Sequence, residues 1–146
     1  MKANELMIGD WIHNKFTNEN YRVWPTFYSQ CTDYGRTPEK DIDELFEPIP
    51  ITPEILEKNG FLEKNVFAET LGVDELWGLE EYSCGVCGGE NDTWEFEVYE
   101  PWIERDYDGS PDDWGFFAKT HIKDIRYVHE LQHALLLCGM DKKIEL

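Results

Sequence analysis

A five-residue segment near the C-terminus, His129-Glu130-Leu131-Gln132-His133, has the H-E-x-x-H pattern of helical zinc sites. Histidines four residues apart project from one side of a helix, so that both imidazoles can bind one zinc ion. The intervening glutamate is then placed to act as a general base on metal-bound water. If the pattern is functional, it predicts a zinc hydrolase in which His129 and His133 bind the metal and Glu130 is catalytic.

Two features of the surrounding sequence argue against that hypothesis. A catalytic zinc needs a third protein ligand, and the only carboxylates after His133 are Asp141 and Glu145. Leu136 also stands where the extended metalloprotease pattern has glycine. We therefore favour a helix whose histidines bond to carboxylates or water, with no bound metal and no catalytic residue.

A second candidate metal site is the C-x-x-C segment Cys84-Gly85-Val86-Cys87, which Gly88 and Gly89 follow. It has the outline of a zinc knuckle, but a structural zinc needs two further ligands and the chain has no second C-x-x-C. Cys31, His13 or His121 are available only if the fold brings them close. The alternative is a glycine-rich turn between strands with two incidental thiols.

The segment from Glu90 to Asp113 contains ten acidic side chains and one basic side chain, so it carries −9 of the net charge of −18. Such a surface can mimic phosphates and bind the basic groove of a nucleic-acid-binding protein. The alternative is a solvated sheet face whose charges prevent edge pairing. The candidate binding residues are Glu95, Glu97, Glu100, Asp106, Asp108, Asp112 and Asp113.

Composition limits the class of protein. The 31 acidic and 13 basic side chains disfavour direct binding to nucleic acid or to anionic membranes. The 41% hydrophobic and 14% aromatic residues exclude a disordered acidic tail. We expect no signal peptide, because Met1–Leu6 has no apolar core of that length, and no apolar run is long enough to cross a membrane. We expect one domain, residues 1–146, in the cytoplasm, with reduced thiols.

The N-terminal half predicts short strands and one short helix. Met7–His13 and Tyr21–Trp24 flank a polar turn and predict a hairpin, with a third strand at Thr26–Cys31. We expect residues 1–50 to form a barrel-like part. Thr52-Pro53-Glu54 predicts the start of a helix, which Asn59-Gly60 ends.

The C-terminal half predicts a sheet followed by a long helix. Thr93–Tyr99 alternates in polarity and predicts a strand with Glu95 and Glu97 on its wet side. Trp114–Ala118 is expected to return to the sheet. Thr120–Cys138 lacks glycine and proline, which predicts a helix that ends at Gly139 and packs on the sheet. The expected fold is α+β and mostly antiparallel, with residues 51–146 providing helix, sheet and C-terminal helix.

Three segments together resemble a family of small uncharacterised proteins encoded by prophages and mobile elements of anaerobic gut bacteria. The resemblance implies a barrel-like start, a short capped helix and a terminal helix, and it implies no activity. Members of that family often carry glutamine in place of Glu130, which does not suit a general base. The segments are Met1–Trp11 (MKANELMIGDW), Pro48–Leu56 (PIPITPEIL) with Asn59-Gly60-Phe61, and Ile125–Leu135, which contains YVHELQHAL.

These observations, with the resemblance, favour an acidic accessory protein of a phage or mobile element that acts in the cytoplasm of a bacterial host by binding another protein. Its most concrete form is a nucleic-acid mimic that inhibits a basic host protein. The alternatives are a zinc-dependent hydrolase, with zinc as its cofactor, and a structural virion component. The sequence leaves the oligomeric state open.

Overall fold

The computed structural model describes residues 5–27, 29, 43–64, 75–88, 91–99 and 119–146. It contains helices and two antiparallel sheets, of three and five strands. The α+β prediction is therefore confirmed. The predicted strand at Trp114–Ala118 lies outside these residues.

The N-terminal sheet consists of β1 (Trp11–Asn14), β2 (Glu19–Arg22) and β3 (Phe46–Pro48), in the order β2-β1-β3. β1 and β2 form the predicted hairpin, in which Trp11 pairs with Arg22. Asn14 Oδ1 stabilises the turn by accepting hydrogen bonds from two backbone N–H groups, those of Phe16 (2.9 Å) and Thr17 (3.1 Å). The described strands form an open sheet and do not close into the barrel-like part that we expected.

The third strand of this sheet is β3, so the prediction of a strand at Thr26–Cys31 is wrong over its described residues. Phe27 and Ser29 have helical backbone, and the Phe27 N–H donates to the carbonyl oxygen of Trp24 at 3.0 Å. The turn places Phe27 in a buried cluster, edge-on to Trp24 and Phe46. The cluster contains Leu6, Ile12, Val23, Phe27 and Phe46.

The short helix α1 spans Pro53–Lys58 and confirms the predicted capping. The Thr52 hydroxyl accepts a hydrogen bond from the Ile55 N–H, and proline occupies the first turn. The helix ends at Asn59, and Gly60 follows with a φ of +81°. The buried face of α1 contributes Leu56 to the core of the second sheet.

The second sheet is an antiparallel meander in the strand order β4-β5-β6-β7-β8. β7 corresponds to the predicted strand at Thr93–Tyr99. The middle strand β6 contains the C-x-x-C segment, which is therefore a strand and not a turn or knuckle. The strands are β4 (Leu62–Glu63), β5 (Leu76–Leu79), β6 (Cys84–Gly88), β7 (Trp94–Tyr99) and β8 (Lys119–Ile125).

The C-terminal helix α2 spans Val128–Leu137, so the predicted helix over Thr120–Cys138 is wrong in its first third. That part is β8, which pairs with β7 along its length. Pairing with a neighbouring strand outweighs a weak local preference for helix. The helix packs on one face of the sheet, as expected, through Leu131, Ala134 and Leu135.

An isolated bridge between Pro50 and Tyr127 joins the N-terminal half to the start of α2. The Val128 N–H donates to the Ile49 carbonyl at 2.8 Å, and the Ile51 N–H donates to the Arg126 carbonyl at 2.9 Å. None of the described helices is long and apolar enough to cross a membrane.

Candidate functional site

Helix α2 begins with a carboxylate at its N-terminus. Oε2 of Glu130 accepts hydrogen bonds from the backbone N–H groups of Arg126 (2.7 Å) and Tyr127 (3.2 Å). The ammonium group of Lys123 lies 3.8 Å from Oε1. A negative charge at this end of a helix satisfies free N–H groups and interacts favourably with the helix dipole. Glu130, the general base in the zinc-hydrolase hypothesis, therefore stabilises the start of its own helix.

The second histidine of the motif, His133, pairs with an aspartate from the N-terminal segment. Its Nε2 lies 2.8 Å from Oδ2 of Asp10, whose side chain is only 4% exposed. The same oxygen accepts a hydrogen bond from the Met7 N–H at 2.6 Å. Gly9 precedes this aspartate with a φ of +96°, a backbone conformation that favours glycine. The turn at Gly9 thus presents a buried carboxylate to α2.

Gln132, the residue before His133, forms hydrogen bonds with the backbone of the turn at Gly9. Its Oε1 accepts a hydrogen bond from the Trp11 N–H at 3.1 Å, and its Nε2 donates to the Gly9 carbonyl oxygen at 3.2 Å. One amide side chain thus satisfies a donor and an acceptor of the N-terminal segment. Gln132 and His133 together hold the turn at Gly9 against α2.

The C-terminal segment after α2 completes this junction. The indole Nε1 of Trp11 donates to the Ile144 carbonyl oxygen at 2.8 Å. The Arg22 guanidinium pairs with Glu145 at 2.7 Å and lies 4.6 Å from the centre of the Trp11 ring. These contacts join β1, β2 and the last residues of the chain.

The first histidine, His129, is 3% exposed, and its Nδ1 has no hydrogen-bond partner among the residues that the structure describes. Its ring is nearly parallel to that of Tyr127 and edge-on to that of His133, with 5.9 Å between ring centres in each pair. Burial lowers the pKa of His129, while the nearby charge of Asp10 acts in the opposite direction. The neutral imidazole is therefore the form that the fold favours.

A cleft of about 240 Å³ lies beside this junction and opens to solvent. Its polar wall includes Asp10, Gln132 and His133. The remaining lining is apolar or basic, apart from the carboxylate of Asp141. It consists of Met7, Ile8, Gly9, Arg22, Leu136, Met140, Asp141, Lys142 and Lys143.

The two thiols of the C-x-x-C segment lie on opposite faces of β6, because residues three positions apart in a strand alternate in direction. Cys84 belongs to the apolar core, where burial raises its pKa to about 12. The Cys87 thiol donates to Oε2 of Glu97 at 3.3 Å on the other face. Gly88 lies so close to Glu75 that a Cβ would meet the Cβ of Glu75 at 3.3 Å. The segment therefore packs as a central strand, and its two thiols do not converge on one ion.

The predicted acidic binding surface is only partly described. Glu97 is 1% exposed and Glu95 is half-buried, so the prediction of a wet face for both is wrong for Glu97. The predicted alternation of β7 is correct. However, the face that carries Glu95 and Glu97 is itself buried at Cys87 and Glu97, like the opposite face that packs in the core. The other predicted residues lie outside the described part of the chain. They are Glu100, Asp106, Asp108, Asp112 and Asp113.

The structure brings together one group of possible metal ligands that the sequence did not indicate. Ligand atoms of Glu95, Glu97 and His121 all lie within 4.8 Å of one another. His129 and His133 form no such three-residue group with other described residues. The sequence offered no local signal for His121 because its partners lie on a neighbouring strand.

Comparison with known proteins gives no significant match to a family model, a curated protein or a solved structure.

Proposed function

We propose that this protein acts by binding another protein, and that the cleft beside Gly9 and α2 accepts an apolar side chain from an acidic segment of that partner. The observation that carries the proposal is a cluster of exposed apolar side chains at the cleft. Met7 is 46% exposed, Ile8 65% and Leu136 60%. Burial of this cluster by a partner is favourable because it removes apolar surface from water.

Scattered exposed apolar residues are ordinary on protein surfaces, whereas contiguous ones mark interaction sites. Phe16 and Leu62 are exposed to a similar degree but do not line the cleft. Met7, Ile8 and Leu136 meet at one concave place, which supports a binding site rather than incidental exposure.

The charges at the cleft favour an acidic partner segment. Lys142 and Lys143 line the cleft, and neither forms an ion pair within the described residues, whereas Arg22 is held by Glu145. At physiological salt, charges more than about 8 Å away are largely screened. Of the two carboxylates that line the cleft, Asp10 is paired with His133, which leaves Asp141 against two ammonium groups. The local charge of the cleft is therefore positive, although the net charge of the chain is −18.

The size of the cleft favours a side-chain anchor over a large cofactor. Pockets for drug-sized ligands measure roughly 300–1,000 Å³, and this cleft measures about 240 Å³. An anchor residue in such a pocket, with polar contacts around it, is the usual source of binding energy at protein interfaces. The resemblance of three segments to phage-encoded proteins supports an accessory role in a phage or mobile element.

A peptide-display selection with random sequences tests this function. The expected result is enrichment of one or two large apolar residues flanked by aspartate or glutamate. Binding of the enriched peptides should weaken at least about tenfold in Leu136→Glu, which places a carboxylate in the apolar anchor site. The double variant Lys142→Glu/Lys143→Glu should also bind these peptides more weakly than the unmodified protein. This loss of affinity should be smaller at high salt than at low salt, because salt screens the charges.

Phe16→Glu is the matched control, because Phe16 is 76% exposed and lies in the β1–β2 turn, away from the cleft. It should bind the selected peptides as the unmodified protein does. Enrichment of lysine- and arginine-rich peptides that still bind Leu136→Glu would contradict the cleft. That outcome would favour the acidic surface, and a basic partner, as the basis of function.

A further inference from the structure

We propose that Glu95, Glu97 and His121 form a binding site for one divalent transition metal ion, zinc in particular. The site lies on the face of the second sheet opposite α2, because Trp94 and Phe96 alternate with these glutamates and pack in the core with α2. It is separate from the cleft and from the H-E-x-x-H segment, so it does not depend on the proposed function.

Strand pairing brings the three ligands together. Glu97 is the direct partner of His121 across β7 and β8, and Glu95 lies two residues earlier on the same face. The register shifts between Phe96 and Glu97. Such an irregularity redirects side chains locally and is common beside functional sites.

The distances between the three ligand atoms allow them to bind one shared metal ion. Zinc binds carboxylate oxygen and imidazole nitrogen at about 2.0–2.2 Å in a tetrahedral arrangement, so two of its ligand atoms lie about 3.3–3.6 Å apart. The ligand atoms of Glu95, Glu97 and His121 lie within 4.8 Å of one another. Small side-chain rotations therefore suffice to place all three around one ion.

The burial of Glu97 is an independent reason to expect a cation. Its side chain is 1% exposed and has a second carboxylate, that of Glu95, as a close neighbour. Two adjacent carboxylates repel each other, most strongly where burial removes the screening water. The Cys87 thiol donates one hydrogen bond to Glu97. A divalent cation between the two carboxylates would offset their repulsion.

A third carboxylate lies close to one ring nitrogen of His121. Its Nε2 lies 3.3 Å from Oδ1 of Asp124. Metal ligands of this type usually donate one ring N–H to a carboxylate, which orients the other ring nitrogen toward the ion. The His121 side chain is 51% exposed, so solvent and metal reach the site from this side.

The set of ligands selects the class of metal. Two carboxylates and one imidazole suit zinc, manganese or iron better than calcium, which prefers oxygen ligands throughout. Three protein ligands on a partly exposed site leave a coordination position for water. Zinc is the ion that we test.

Zinc titration of protein without a histidine tag, stripped with EDTA and monitored by calorimetry, tests the site. We expect binding of about one zinc per chain. The affinity should fall at least about tenfold in Glu95→Gln and in His121→Ala, because each removes one ligand. Both residues are at least partly exposed, so these variants should fold, and circular dichroism in the absence of zinc checks this.

Two histidine variants are matched controls. His13 lies in the N-terminal sheet, bonded to Asn20, and His129 belongs to the H-E-x-x-H segment. Zinc affinity should be unchanged in His13→Ala and in His129→Gln. Absence of zinc binding, or binding that survives both Glu95→Gln and His121→Ala, would overturn the proposal. Binding that is lost in His129→Gln instead would place the zinc in the H-E-x-x-H segment.

Discussion

Oδ2 of Asp10 and Nε2 of His133 lie 2.8 Å apart, although 123 positions separate them in the chain. The neighbouring Gln132 binds the backbone on both sides of Asp10. Glu130, in the same motif, binds the N-terminal N–H groups at the start of α2. Three polar residues of the H-E-x-x-H segment therefore connect and stabilise parts of the fold.

Asp10→Ala should lower the free energy of unfolding by about 2–4 kcal/mol. The substitution leaves the Met7 N–H and the His133 ring without their shared acceptor, and each unpaired part-buried group costs about 1–3 kcal/mol. Urea denaturation followed by circular dichroism measures the change. Asp141→Ala is the control, because Asp141 is exposed at the same cleft and should lose less than about 0.5 kcal/mol. Equal losses in the two variants would contradict the role of Asp10.

Glu130→Gln and Glu130→Ala should differ in stability because of the cap. The alanine variant loses the acceptor for two backbone N–H groups, and about 1 kcal/mol of stability. Glutamine keeps an acceptor oxygen at this position and should lose only about 0.3–0.5 kcal/mol. Thermal denaturation distinguishes the two. A loss as large for glutamine as for alanine would show that the cap is not the role of this side chain.

The pH dependence of stability should reflect the buried His129. Its pKa in the folded protein lies below the ordinary value of 6.5, mainly because of burial. Below about pH 6.5 the unfolded chain therefore binds more protons than the folded one at this residue. The stabilising contribution is complete above that pH and is lost as the pH falls toward the folded pKa.

His129→Gln should accordingly show a smaller loss of unfolding free energy between pH 7.5 and pH 5.5 than the unmodified protein. Glutamine does not titrate, and the remaining histidines are common to both proteins. Urea denaturation at the two pH values gives the difference. An identical loss in both proteins would mean that His129 does not titrate differently in the folded and unfolded states.

Cys84 should resist alkylation in the folded protein. Burial, with a smaller contribution from Cys138, raises the pKa of its thiol to about 12, so almost no thiolate is present at pH 8. Iodoacetamide should modify the half-buried Cys138 before Cys84, and both should react in concentrated urea. Peptide mass spectrometry assigns the modified sites. Rapid modification of Cys84 without denaturant would contradict its buried position.

Local signals in the sequence predicted the elements that depend on local interactions. Thr52, Pro53 and Gly60 fix the two ends of α1, and both are where the sequence placed them. The residues from Thr120 to Ile125 contain no comparable signal, and they form β8 because β7 pairs with them. The sequence could not distinguish these outcomes, because strand preference depends on the neighbouring strand.

The candidate sites depend on contacts between distant residues, which explains what sequence reasoning missed. The H-E-x-x-H spacing placed His129 and His133 on one helix, but nothing near Asp10 indicated that it pairs with His133. Alternation in β7 correctly separated Glu97 from Phe96. It did not indicate that both faces of the sheet are buried at this point.

The proposed binding function is tested most directly by titrating ¹⁵N-labelled protein with the tightest peptide from the display selection and recording amide chemical shifts. We expect the largest changes at Gly9, Leu136 and Lys143, around the cleft, and none at Phe16. Saturating binding that shifts residues of β7 and β8 and leaves these three amides unchanged would contradict the cleft as the site of partner binding.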